Sequence, residues 1–256
     1  MPKLVNFLLA LSLDLFMKSR AIDTTSSIVC FASYCGGVLI RYPFWQQGNT
    51  TSAGKSCGYT GFGLAYSDDG RPPILTLSSD TYYFKEINYT NNTLTLIDTD
   101  VANQTCPRAS HNVTIGDLPL SYRKLVKNLT FYFNCTAYPS ALSHIQCLNN
   151  SKGKRSYVFE EGDEASDFDW SMNCEDKVVV TVNENEINGA SLSTGFGVAM
   201  NKGFVLNWET ATPCAKCEIS GGNCGFDRVN NVQTLCYCID GSIITDGTKS
   251  CKGMLT

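Results

Sequence analysis

Five cysteines fall within PCAKCEISGGNCGFDRVNNVQTLCYC, residues 213–238: Cys214, Cys217, Cys224, Cys236 and Cys238. C-x2-C followed by C-x-C is compatible with a zinc site, with thiol redox chemistry and with disulfide staples. The compartment decides between them, because thiols persist in a reducing cytosol and are oxidised along the secretory pathway. Other residues suited to chemistry are sparse. The two histidines, His111 and His144, lie far from the cysteine cluster and accompany no nucleophile-elbow motif, so both read as surface residues. Acidic residues are common, but nothing in the sequence singles out a pair placed for glycoside cleavage, because such pairing is three-dimensional. No enzymatic activity, no cofactor and no metal are expected.

Two signals set the compartment. Lys3 precedes an apolar run, LVNFLLALSLDLF, and Ser19 and Ala21 are small residues where a signal peptidase reads, so residues 1–21 are expected to be a leader cleaved after Ala21. Asp14 interrupts the run and Lys18 and Arg20 follow it; a buried N-terminal helix is the competing reading. N-x-S/T sequons begin at Asn49, Asn88, Asn91, Asn103, Asn112, Asn128, Asn134 and Asn149, eight of the twenty asparagines, and none lies further on. Asn134, with Cys135 in the middle position, is the least suited. A glycosylated asparagine must face solvent, so the sequons map exposed positions of the first half. Both signals point to secretion and to an extracellular location. The thirteen cysteines are therefore expected to form disulfides: Cys30, Cys35, Cys57, Cys106, Cys135, Cys147 and Cys174 in the first part, and Cys214, Cys217, Cys224, Cys236, Cys238 and Cys251 in the last. The odd count leaves one of the first seven over. Cys236 and Cys238 share a strand face, so they are expected to bond different partners.

The elements that position these residues read as mainly β: two small disulfide-rich β modules with few short helices. ILTL (74–77), TYYFKEINY (81–89), TLTLI (93–97), NLTFYFNC (128–135) and KVVVTV (177–182) are rich in aromatic and β-branched residues. Thr90, Asn91 and Asn92 make a hairpin tip. Short helices are expected near YRKLVKN (122–128) and SLSTGFGVAM (191–200). Residues 22–150 form the first module and 173–256 the second, with 151–172 an acidic polar linker. The linker holds EEGDEASDFDW (160–170), which lacks the D-x-D-x-D-G spacing of a calcium loop. Residues 22–150 are charge-balanced, whereas 151–256 carry a net −6. No second stretch approaches the roughly 18 apolar residues of a spanning helix, and no lipid-anchor tail follows Cys251. The product is therefore expected to be soluble once the leader is removed, with no nucleic-acid partner.

CGGVLIRYPFW (35–45), CGYTGFGLAY (57–66), the strand at 74–77 and YYFKEINYTNNTLTLIDTD (82–100) resemble the galacturonan-binding domain of plant wall-associated receptor kinases. NCEDKVVVTV (173–182), GFVLNWETATPCAKCEISGGNCGF (203–226) and CYCIDG (236–241) resemble the cysteine-rich C-terminal module of the same ectodomains, most of all those of leaf-rust-resistance-type receptor kinases. In that family the segment matching GFGLAY usually ends in cysteine. Tyr66 stands there instead, which would account for the odd count. The family continues into a transmembrane helix and a kinase, and these 256 residues contain no G-x-G-x-x-G with its lysine, no H-R-D and no D-F-G.

The resemblance implies binding of pectin, meaning de-esterified galacturonan or its oligomers. Such a ligand needs cations for its carboxylates and aromatic rings for its sugar faces. Arg41, Tyr42, Trp45, Lys55, Arg71 and Lys85 are the candidate ligand residues, with Phe44 assigned to the core; Arg123, Lys124 and Lys127 are a second patch or an ordinary solvated face. The acidic balance opposes a polyanion, so binding is expected on the first module and calcium is a candidate bridge. The rival function is a protein–protein module for a peptide, a pathogen protein or a co-receptor.

Overall fold

The computed structural model describes residues 30–48, 54–66, 70–149, 152–187, 192–246 and 249–251. The expected leader and Asn49 lie outside them. The described chain is mainly β. Its strands are β1 (Ser33–Cys35), β2 (Val38–Ile40), β3 (Trp45–Gln46), β4 (Lys55–Cys57), β5 (Gly63–Ala65), β6 (Ile74–Leu77), β7 (Asp80–Asn88) and β8 (Thr93–Asp98). They continue with β9 (Leu120–Tyr122), β10 (Val126–Cys135), β11 (Arg155–Glu160), β12 (Asp176–Asn183), β13 (Phe204–Trp208), β14 (Asn223–Asp227), β15 (Val232–Tyr237) and β16 (Ile243–Ile244). Three α-helices are described, α1 (Trp170–Asn173), α2 (Leu192–Lys202) and α3 (Ala215–Ile219).

Alternation drives these strands. In β8, Leu94, Leu96 and Asp98 are buried while Thr93, Thr95 and Ile97 are half-buried; β13 buries Phe204, Leu206 and Trp208 in the same way. The β7–β8 turn is closed by Asn88, whose Oδ1 accepts the N–H groups of Thr90 and Asn91, with Asn92 in the left-handed region. β10 is buried on both faces from Leu129 to Phe133. Leu129, Phe131 and Phe133 enter one core with Val178, Val180, Val182 and the α2 residues Phe196 and Met200, and Tyr132 enters another with Tyr157 and Trp170. Each such side chain contributes roughly 1.5–3 kcal/mol by leaving water.

Two sequence expectations are corrected. Residues 122–128 form no helix: they end β9 and begin β10, which pairs with β12 over eight positions from Val126 to Phe133. Tertiary pairing overrides a weak local helical pattern. The expected linker at 151–172 contains β11, which pairs with β10 and buries Ser156, Tyr157 and Val158, and α1, which buries Trp170. Its acidic residues conceal a short strand whose apolar content is confined to Tyr157, Val158 and Phe159.

The sheets mix the two halves of the sequence. The largest has the order β3-β5-β6-β7-β8-β13-β9, so β13 lies between two strands from the first half. A four-stranded sheet has the order β16-β15-β14-β4, with β4 at its edge. Six disulfides join Cys30–Cys57, Cys106–Cys147, Cys135–Cys174, Cys214–Cys224, Cys217–Cys236 and Cys238–Cys251. All five cysteines of residues 213–238 are thus staples. The sulfurs of Cys236, Cys238 and Cys251 lie close together, but as disulfide sulfurs they supply no thiolate to a metal. The thirteenth cysteine, Cys35, is a buried thiol in the main core, against which Tyr66 also packs. No helix among the described residues is long and apolar enough to cross a membrane.

Candidate ligand groove

An open groove of about 590 Å³ runs beside the end of the large sheet, lined by Arg41, Tyr42, Pro43, Tyr59, Tyr89, Trp208 and Glu218 among others. Its volume falls within the ~300–1,000 Å³ usual for ligand sites. Each lining residue has a local reason to be there. Arg41 and Tyr42 follow β2, and Tyr59 follows Gly58. Gly58 has φ +125°, and a Cβ there would lie 2.5 Å from Pro43 O and 2.6 Å from the Trp45 ring, so only glycine lets these segments meet. Tyr89 sits at the β7–β8 turn. Trp208 ends β13, where its N–H donates to Asn92 O at 3.0 Å. Glu218 rides on α3, a single turn held by Cys214–Cys224 and Cys217–Cys236.

A hydrogen-bonded chain crosses the groove floor. The Cys224 N–H donates to Tyr42 Oη at 3.1 Å. The hydroxyls of Tyr42 and Tyr59 both donate to Oε1 of Glu218, and the two phenol rings meet edge to face at 5.7 Å. Burial, followed by the bond to Glu218, raises both phenols well above the usual tyrosine range. Among the described residues, Oε2 of Glu218 has no hydrogen-bond partner and the carboxylate has no ion pair. The Arg41 guanidinium, also in the groove lining, lies 4.3 Å above the Tyr89 ring, a contact worth about 0.5–1 kcal/mol at an exposed site. The Arg41 N–H donates to Tyr89 Oη at 2.7 Å, and burial is the main cause that raises the Tyr89 phenol. Tyr89 meets Trp208 edge to face at 5.8 Å. Trp208 and Tyr59 are themselves buried.

Of the six ligand residues read from sequence, the groove brings together Arg41 and Tyr42. Trp45 is buried; its Nε1–H donates to Tyr59 O at 2.9 Å, and Arg228 covers its ring at 5.1 Å. Lys55 lies on β4 opposite Asp227. Arg71 is exposed near Gly36, whose added Cβ would lie 2.5 Å from Arg71 O. Lys85 donates to Lys202 O at 3.2 Å and lines a smaller polar pocket of about 290 Å³ with Arg123, Lys202, Glu86 and Glu186. Of the second patch, Lys127 pairs with Glu160 at 2.6 Å and lies 3.8 Å from Glu184, so its charge is matched. Tyr59, Tyr89, Trp208 and Glu218 were missed. Tyr89 was visible as an aromatic residue in a hairpin turn; nothing linear connects Glu218 with Tyr42.

The sequons divide by exposure. Asn91, Asn103, Asn112 and Asn149 are exposed, and Asn88 is half-buried. Asn128 and Asn134 are half-buried, and their Nδ2 groups donate to Glu161 at 2.9 Å and Glu175 at 2.6 Å.

The histidines resolve differently. His144 Nε2 lies 3.1 Å from Asn149 Nδ2 in an exposed contact. His111 is embedded among carboxylates: its Nε2 is 3.1 Å from Asp98 and 3.7 Å from Asp80, and its Nδ1 is 3.8 Å from Asp100. Ser110 Oγ is 3.2 Å from Nδ1, but the hydroxyl donates to Asp100. A general base must receive the nucleophile's proton, and here a carboxylate already does.

Residues 30–98 match the family described as wall-associated receptor kinase galacturonan-binding, and residues 146–241 match the one described as wall-associated receptor kinase C-terminal. Three curated relatives, all from Arabidopsis thaliana, are named leaf rust 10 disease-resistance locus receptor-like protein kinase-like 1.2, 2.1 and 2.8. Their identities to this chain are 31%, 26% and 28%, over 85%, 78% and 79% of it. The alignments span 33%, 32% and 21% of those relatives, so the chain corresponds to a third of their length or less. No solved structure matches it.

Proposed function

Because the chain belongs with the extracellular modules of wall-associated, leaf-rust-10-type receptor kinases, we propose that it recognises a cell-wall galacturonan in the groove between Arg41 and Glu218. The observation that carries this reading is the groove's composition: one guanidinium, three phenols and a fixed carboxylate around an open trough. Arginine suits a uronate carboxylate, aromatic rings suit the apolar face of a sugar, and the carboxylate accepts sugar hydroxyls. The role is recognition, with no turnover assigned. Wall-localised receptor function fits the six disulfides and the exposed sequons, which we take to carry glycans.

Calorimetric titration of the glycosylated, disulfide-bonded protein with galacturonan oligomers tests the reading. Arg41→Ala and Tyr89→Ala are each expected to weaken binding on the order of tenfold, 1.4 kcal/mol, while Lys85→Ala leaves it unchanged. Equal loss in Lys85→Ala alone would move the site to the smaller polar pocket. The rival reading, a protein-recognition module, draws on exposed side chains such as Tyr34, Met172, Ile219 and Ile239, but singly exposed apolar residues are ordinary and select no partner.

A further inference from the structure

The groove's charges bear on which galacturonan it takes, an inference that rests on the reading above. Arg41 and Glu218 are the charged residues lining it, so its formal charge is zero. Glu218 cannot turn away from a bound ligand, because Tyr42 and Tyr59 both hold its Oε1 and Tyr42 is anchored in turn by the Cys224 N–H. The remaining oxygen, with no hydrogen-bond partner among the described residues, is left to accept hydrogen bonds from a ligand. A sugar hydroxyl satisfies it; a second carboxylate meets it as a like charge in a partly desolvated trough.

We propose that the groove selects methyl-esterified galacturonan over the contiguous de-esterified chain, with at most one free carboxylate, seated on Arg41. Esterification removes the charge of a galacturonate unit while leaving its ring hydroxyls to donate to Glu218. Arg41 is shared with the Tyr89 ring and is a single guanidinium, so it neutralises one uronate and not a run of them. The net charge of −4 over the whole chain adds long-range repulsion of a polyanion in the same direction.

The test is competition calorimetry on the intact protein with galacturonan oligomers of one length, either methyl-esterified on every unit but one or fully de-esterified, at fixed ionic strength and with chelator present. The esterified oligomer is expected to bind about tenfold or more tightly, with little salt dependence. Glu218→Gln keeps an oxygen for both phenols and is expected to narrow that preference by improving the de-esterified ligand. Tighter binding of the de-esterified oligomer by the wild-type protein overturns the selectivity while leaving galacturonan recognition standing. Absence of binding by both oligomers overturns the functional reading and this inference with it. If Glu218→Gln fails to fold, the wild-type comparison still decides.

Discussion

Glu218 shows how one carboxylate is made useful by its neighbours. Two phenols donating to one oxygen hold the group in place and leave the other oxygen without a hydrogen-bond partner among the described residues. His111 does the reverse service for Asp98, which is 6% exposed and lies among Asp80, Asp100 and Tyr82 with the histidine as its nearest basic group. Burial raises the Asp98 carboxyl above its ordinary 3.8, only partly offset by the Asp100 N–H and by His111. An acid raised on folding favours the folded state below its unfolded value, and that contribution is lost as pH rises through the folded one. Asp98→Asn, which keeps an oxygen for the Asp100 N–H, is therefore expected to gain in melting temperature relative to wild type as pH rises from about 4 to 7. His111→Ala is expected to cost about 1–3 kcal/mol, the usual penalty for an abandoned buried polar partner, and Asp98→Asn in that background should recover much of it. Thermal melts and chemical-denaturation curves at two pH values measure all three variants against wild type. His111, read as a surface residue, is half-buried, and its carboxylate neighbours lie on β7, β8 and the following loop, separations to which a linear motif is blind.

At the scale of elements, α3 is too short to persist alone and is held by sulfur. Helices of one turn have little intrinsic stability, but α3 carries Cys217 and follows Cys214, both cross-linked to the β14–β15 hairpin. Gly222 makes that packing possible: a Cβ there would lie 2.7, 2.8 and 2.9 Å from the sulfurs of Cys236, Cys251 and Cys217. Replacing Cys217 and Cys236 together by alanine opens a loop of 19 residues' separation, expected to cost about 3 kcal/mol by the chain-entropy argument. It should also weaken ligand binding, because Glu218 loses its mounting. Calorimetric melting and titration of the same protein separate the two effects; full affinity in a destabilised variant would show that the phenols alone position Glu218. The strands β6, β7 and β8 were readable because period-two burial leaves a pattern in the sequence, and β10 and β12 because they are continuous runs of aromatic and β-branched residues. β11 was not, because a charged run follows a three-residue apolar core.

Over the whole molecule, the sheets cross the boundary that sequence patterning places near residue 150. β13 completes the large sheet between β8 and β9, β4 edges the sheet built by β14–β16, and Cys135–Cys174 joins the end of β10 to the residue that follows α1. The groove follows the same rule, taking Arg41, Tyr42, Tyr59 and Tyr89 from one side of that boundary and Trp208 and Glu218 from the other. A fragment of residues 22–150 is therefore expected not to fold. Without β13, β8 and β9 have no strand between them, and β10 loses both neighbours. Amide dispersion in a proton–nitrogen spectrum checks this, and a well-dispersed fragment would establish an autonomous first module.

What this sequence carried alone was local chemistry: sequon density pointed to an oxidising compartment, where cysteines become staples, and alternating apolar residues make strands. These properties depend on near neighbours in the chain or on composition. The disulfide partners, the interleaving of β4 and β13, and the carboxylate that completes the groove were decided only by the tertiary structure. Each is a meeting of residues separated by long stretches of chain, and backbone hydrogen bonding and core packing, which are blind to sequence distance, choose those meetings.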